Sequence, residues 1–214
     1  MTPIRIVVLI SGSGSNLQAI IDGCKSGQIN GSIAAVISNK ADAYGLTRAK
    51  LADIHTEVLD HKAFASRDAY DNALADVINQ FSPDLVVLAG FMRILTPDLV
   101  QKFKGKMLNI HPSLLPKYQG LNTHQRAIDA NDAEHGVSVH FVTEELDGGP
   151  VIVQAKVAIE SNETAQSLAE KVHVQEHVIY PLVVQWFSEH RLTMEAEHAV
   201  LDNQVVPAQG VNYP

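Results

Sequence analysis

The sequence predicts an α/β protein, with a mostly parallel sheet, helices on both faces and an antiparallel C-terminal extension. Three observations predict it. Ile4–Ile10 (IRIVVLI), Ile33–Ser38 (IAAVIS) and Asp84–Ala89 (DLVVLA) are nearly continuous apolar runs of strand length, the pattern of strands buried on both faces. Segments with apolar residues at helical spacing separate these runs. In the second half, Val137–Val142 and Val151–Ile159 alternate instead, which suggests an antiparallel hairpin across Thr143–Pro150. The strand-helix-strand order of the first half is Rossmann-like.

The elements follow in order. After the first strand comes Ser11–Asn16 (SGSGSN), then Leu17, Ile20, Ile21 and Cys24 at helical spacing, ended by Gly27. Ala43–Ala52 reads as a short helix and His55–Leu59 as a third strand. Ser66 is placed to cap a helix with Tyr70, Leu74, Val77, Ile78 and Phe81 on one face. Arg67 falls in its first turn, where the helix dipole disfavours a cation, so an anionic partner is one reading. Gly90–Leu95 (GFMRIL) is a loop with a large apolar load: it either packs under the next helix or lines a pocket for a flat ring. Thr96-Pro97 opens another helix as cap and first residue. Asn122–Asn131 is helical, and Val137–Val142 is expected to be half exposed. Thr164–Ser188 is a long helix expected to break or kink at Pro181. Arg191–Glu195 is a final strand, and the tail from Ala199 is loosely patterned.

The candidate chemistry centres on Met107–Gly120 (MLNIHPSLLPKYQG). Alternation puts Asn109 and His111 on one strand face, just before Pro112 and Pro116 force the chain into a loop. In α/β sheets ligands bind at the carboxyl ends of strands. The SGSGSN loop is a candidate anion cradle, since backbone N–H groups at a helix N-terminus attract phosphate. The plain alternative is a strand-to-helix turn capped by Ser15 or Asn16. A dinucleotide fingerprint fails at Leu17, Walker A lacks its Gly-Lys pair, and a nucleophile elbow lacks glycines around Ser13.

Composition narrows the field. The chain has 214 residues, 46% hydrophobic and 19% charged, as in an ordinary globular protein. A formal net charge of −8 and the lack of a basic block argue against a nucleic-acid binder. One cysteine, Cys24, excludes an intrachain disulfide. No apolar run approaches the roughly 20 residues of a membrane span, so a cytoplasmic protein without membrane association is expected. There are 10 histidines, but His124, His135 and His140 lack ligand spacing and His173/His177 stand outside an H-E-x-x-H motif, so no metal is expected. The chain is expected to form a single domain, with a phosphate-binding half at 1–105, a catalytic half at 106–195 and a tail at 196–214.

Taken together, the first strand, SGSGSN, GFMRIL, Asn109–Pro116 (NIHPSLLP), Glu145–Pro150 (ELDGGP) and Gln175–Pro181 (QEHVIYP) resemble the folate-dependent formyltransferases. The resemblance runs from about Ile4 past Pro181. It departs at Ser13, where the family commonly has asparagine. It implies catalytic roles for Asn109, His111 and Asp147. It implies that Gly14, Ser15 and Asn16 contact the phosphate of glycinamide ribonucleotide, with His173, Val174, Gln175 and Glu176 holding the rest of that substrate. It implies that Arg67, Met92, Arg93, Ile94, Leu95, Asn109, Thr143, Glu144, Glu145, Leu146 and Asp147 hold the co-substrate, 10-formyltetrahydrofolate. The implied reaction belongs to purine synthesis and needs small-molecule partners only, in a monomer or homodimer.

The residue types suit that chemistry. An amine attacking a formyl carbon develops an oxyanion, for which a side-chain amide and an imidazolium are fitting donors. A free histidine, with pKa about 6.5, is mostly neutral at pH 7, and a carboxylate beside it favours the charged form. Two other functions fit parts of the pattern: a hydrolase releasing formate from the same folate, and a non-catalytic sugar-phosphate-binding module.

Overall fold

The protein is described from a computed structural model covering residues 2–214. The chain divides into two compact units, Met1–Leu108 and Asn109–Pro214.

In the first unit, β1 (Ile4–Ile10), β2 (Gly31–Ser38), β3 (Thr56–Val58) and β4 (Leu85–Leu88) make a parallel sheet in the order β4-β1-β2-β3. The apolar runs explain this arrangement. Ile6 through Ile10, Val36, Ile37 and Leu85 through Val87 have no solvent exposure, as strands covered on both faces require. The connecting helices are α1 (Ser15–Ser26), α2 (Tyr44–Leu51), α3 (Arg67–Gln80) and α4 (Pro97–Lys102). They close the core with Leu17, Ile20, Ile21, Tyr70, Leu74 and Ile78. Two caps fall where the sequence places them: Ala69 N donates to Ser66 Oγ, and Leu99 N to Thr96 Oγ1. Such a cap stabilises by about 1 kcal/mol. A short 3-10 turn at His61–Ala63 was not expected.

The next strand, β5 (Met107–His111), starts two residues before the second unit and ends within it. It is followed by α5 (Thr123–Asp129), β6 (Glu134–Phe141), β7 (Val151–Ala158) and α6 (Ala165–Ser188). The β6–β7 hairpin is antiparallel, as the alternation predicts. The half-exposed reading of β6 is corrected, because every residue from His135 to Phe141 is buried. Its polar positions are covered too: Ser138 and Gln154 hydrogen-bond each other and the Leu115 backbone. Satisfied polar groups can be buried at little cost.

Of the break or kink expected at Pro181, the break does not occur: helix α6 continues through it. Ile179, Tyr180, Val183 and Val184 are fully buried around it, and that packing outweighs the hydrogen bond lost at proline. The tail is better ordered than its pattern suggests. β8 (Leu192–Glu195), β9 (His198–Leu201) and β10 (Gln204–Val205) form a separate antiparallel sheet. β11 (Val211–Tyr213) pairs in parallel with β7. Strands of two to four residues carry too few positions to show a period.

Candidate active site

The carboxyl end of β5 carries Asn109 and His111 on one face, as alternation requires. His111 is buried, at 6% exposure. Its Nε2–H donates to the Tyr118 carbonyl at 2.8 Å. Since a carbonyl only accepts, that nitrogen carries a proton. The other ring nitrogen, Nδ1, lies 3.5 Å from Asp147 Oδ2.

Asp147 is positioned by its loop. Its backbone is left-handed, with φ 50, and Gly149 packs so closely that a Cβ there would run into the Phe141 carbonyl oxygen. Asp147 Oδ2 accepts from Gly120 N at 2.9 Å, and Asn109 Nδ2 stands 3.5 Å from Oδ1. The carboxylate therefore touches β5, the Pro112–Gly120 loop and His111 at once.

The sequence reading assigned no role to His140, which completes the cluster. It is buried on β6, and its Nδ1–H donates to the Phe141 carbonyl at 2.8 Å. That bond leaves Nε2 as an acceptor, 3.2 Å from Asn109 Nδ2. Burial pushes its pKa down, only partly opposed by the Phe141 bond and by Asp147. A neutral acceptor thus aims the Asn109 amide. The sequence signal was a histidine, His140, within the apolar alternation of Val137–Val142.

Beside this cluster, His135 Nε2 and His124 Nδ1 are 3.2 Å apart. Burial, then His124, pushes His135 down to about 4. His124 is lowered by burial and by repulsion from His173 and His111. On α6, His173 Nε2 lies 3.9 Å from buried Glu176 Oε2. Val174 is exposed and Gln175 half-buried on the same turn. Thr143 is half-buried, while Glu144, Glu145 and Leu146 are exposed around Asp147.

In the first unit, the SGSGSN loop leads into α1 without a side-chain cap. Gly14 is the N-cap, with φ 71, and Ser15 and Asn16 lie inside the first turn, so neither caps the helix. The loop is pressed against α2: a Cβ on Gly14 would stand 2.6 Å from Gly45 Cα, and Gly45 N donates to Gly12 O. Arg48, which the sequence reading did not single out, donates from Nε to Ser13 O at 2.8 Å. It brings a guanidinium to the edge of the loop.

Arg67 is exposed in the first turn of α3. The apolar load of the Gly90–Leu95 loop is divided between core and surface. Phe91 and Leu95 are buried, whereas Met92 and Ile94 are 62% and 55% exposed. Arg93 lies over the Tyr70 ring, 4.9 Å from its centroid. Among the described residues no group of three or more histidine, cysteine or acidic side chains could hold a metal ion. No helix there is long and apolar enough to cross a membrane.

An amide, an imidazole and a carboxylate thus converge at a strand end of an α/β fold, and comparison with known proteins assigns the chain to a class of enzymes. The family model described as formyl transferase matches residues 4–184, and the chain belongs to that family. It is 58% identical over 206 residues to the phosphoribosylglycinamide formyltransferase of Escherichia coli (strain K12), covering 96% of this chain and 97% of the relative. The enzyme of the same name from Haemophilus influenzae is 54% identical over 206 residues, covering 96% of this chain and 97% of that protein. The solved phosphoribosylglycinamide formyltransferase of Coxiella burnetii, in complex with CHES, superposes with a TM-score of 0.95 at 50% identity. That match covers 99% of this chain and all of that one.

Proposed function

We propose that this protein transfers the formyl group of 10-formyltetrahydrofolate to the amine of glycinamide ribonucleotide, in purine biosynthesis. The observation that carries the mechanism is the convergence of Asn109, His111 and Asp147 at the end of β5. The names of the similar proteins support the choice of substrates.

The amine nitrogen attacks the formyl carbon and the carbonyl electrons move onto oxygen. Asn109 has two N–H groups. One is held by His140 Nε2, and the other makes a long 3.5 Å bond to Asp147 Oδ1, which it exchanges for the developing oxyanion. His111 supplies the second donor. Because its Nε2 already carries a proton, an unprotonated Nδ1 would aim a lone pair at the Asp147 carboxylate; protonation turns that repulsion into an ion pair. The imidazolium keeps Nδ1–H on Asp147, while its Nε2–H exchanges the Tyr118 carbonyl for the oxyanion and passes its proton to the departing folate nitrogen as the intermediate collapses. The attacking amine gives up its proton in return, so charge balances without a covalent enzyme intermediate. Preorganised donors of this kind contribute about 10²–10³ in rate each.

Gly14, Ser15 and Asn16 receive the phosphate at the uncapped start of α1, with Arg48 adding positive charge. His173, Val174, Gln175 and Glu176 form the wall for the glycinamide end, buried Glu176 meeting the amine. The folate is held by Arg67, by Met92, Arg93, Ile94 and Leu95, and by Thr143 through Asp147, with exposed Met92 and Ile94 lying against the ring.

A formate-releasing hydrolase would use the same trio. The assay that separates them incubates the protein with 10-formyltetrahydrofolate, with and without glycinamide ribonucleotide, and follows tetrahydrofolate and formate. Tetrahydrofolate formed only with the amine, without free formate, is the expected result. Formate in both reactions would overturn the transferase reading.

A further inference from the structure

Two buried side chains hold the Gly90–Leu95 loop by its ends. Met92 N donates to Ser11 Oγ at 2.8 Å. Ser11 is 4% exposed, and its hydroxyl donates in turn to Asn39 Oδ1 at 2.6 Å. At the far end, Thr96 N donates to Asp71 Oδ2 at 2.6 Å. Asp71 is 1% exposed on α3, and its other oxygen has no hydrogen-bond partner among the described residues. Burying a carboxylate with one short bond to a backbone N–H is costly. Retaining it points to a role in fixing that backbone. Between the two anchors, Arg93 lies over Tyr70, the neighbour of Asp71.

We propose that Ser11 and Asp71 are positioning residues of the formyl-transfer reaction: two buried acceptors that hang the Met92–Leu95 loop by its ends and present its backbone as a preformed edge to the folate ring. The inference rests on the assignment of that loop to the folate. A preformed edge binds without an ordering cost.

The test uses the full chain, with calorimetric titration of tetrahydrofolate and steady-state kinetics. Ser11→Ala and Asp71→Ala each weaken tetrahydrofolate binding by roughly fivefold to tenfold, the effect of losing one hydrogen bond. With Asp71→Ala the KM for glycinamide ribonucleotide stays within about twofold, and Ser11→Thr, which keeps the hydroxyl, restores the binding lost in Ser11→Ala. Unchanged folate binding in both variants, or an equal loss for both substrates in Asp71→Ala, overturns the positioning role. If Asp71→Ala does not fold, Ser11→Ala decides the matter, and failure of Ser11→Thr to restore binding overturns the role. The Met92→Ala/Ile94→Ala double variant tests the underlying assignment. If it binds tetrahydrofolate normally, the loop does not hold the folate and the proposal falls with it. If it binds weakly while the Ser11 and Asp71 variants bind normally, only the positioning role falls.

Discussion

His111 Nδ1 lies 3.5 Å from Asp147 Oδ2, while the opposite ring nitrogen donates to the Tyr118 carbonyl. The carbonyl holds one ring nitrogen and the carboxylate faces the other. Replacing Asp147 by asparagine keeps the shape and removes the negative charge. Asp147→Asn and His111→Ala should each lower kcat by about 10²–10³ with KM for both substrates little changed. Steady-state rates from pH 6 to 8 check this. Wild-type rates in Asp147→Asn across that range would rule out the electrostatic role.

His140 is expected to act through Asn109. His140→Phe removes the Nε2 acceptor that aims the amide, and kcat should fall by roughly tenfold while folate and amine KM values hold. His140→Gln, which offers an oxygen acceptor, should recover part of the loss. Equal rates in the two variants would show that the acceptor does not matter.

The His124–His135 pair makes stability depend on pH. Folded His135 titrates near 4, whereas an unfolded histidine titrates near 6.5. Between those values the unfolded chain holds the extra proton, so stability falls as pH drops through that window and is complete above about 6.5. The loss should be about 2–3 kcal/mol. Urea midpoints at pH 7 and pH 4.5 measure it, and His135→Gln should flatten the difference.

Arg48 is predicted to strengthen phosphate binding. Arg48→Met removes the guanidinium bonded to Ser13 O and should raise the KM for glycinamide ribonucleotide by roughly tenfold, leaving the folate KM unchanged. Adding salt should weaken the wild type more than the variant. A KM independent of Arg48 at low salt would remove it from the site.

Gly14→Ala meets two obstacles: a left-handed backbone and the Gly45 Cα at 2.6 Å. The substitution should cost about 1–3 kcal/mol of stability and raise the phosphate-substrate KM. Thermal unfolding and kinetics together test both. An unperturbed variant would mean that the loop relaxes without consequence.

Much of this protein is decided locally. Continuous apolar runs make β1, β2 and β4 buried strands, because strands covered on both faces leave no polar position to solvent. Ser66 and Thr96-Pro97 start their helices because a side-chain oxygen and a fixed φ satisfy helix ends without outside help. The alternation through Asn109 and His111 places both on one face, and the resemblance carried by the NIHPSLLP and ELDGGP segments names Asp147. What local pattern could not reach depends on partners distant along the chain. Asp147 comes to His111 through a loop whose shape depends on Gly149 packing against Phe141. His140 is unremarkable in sequence, and matters only because burial keeps it neutral beside Asn109. The burial of β6, the passage of α6 through Pro181 and the pairing of β11 with β7 depend likewise on packing and hydrogen bonds between segments far apart, which no local period records.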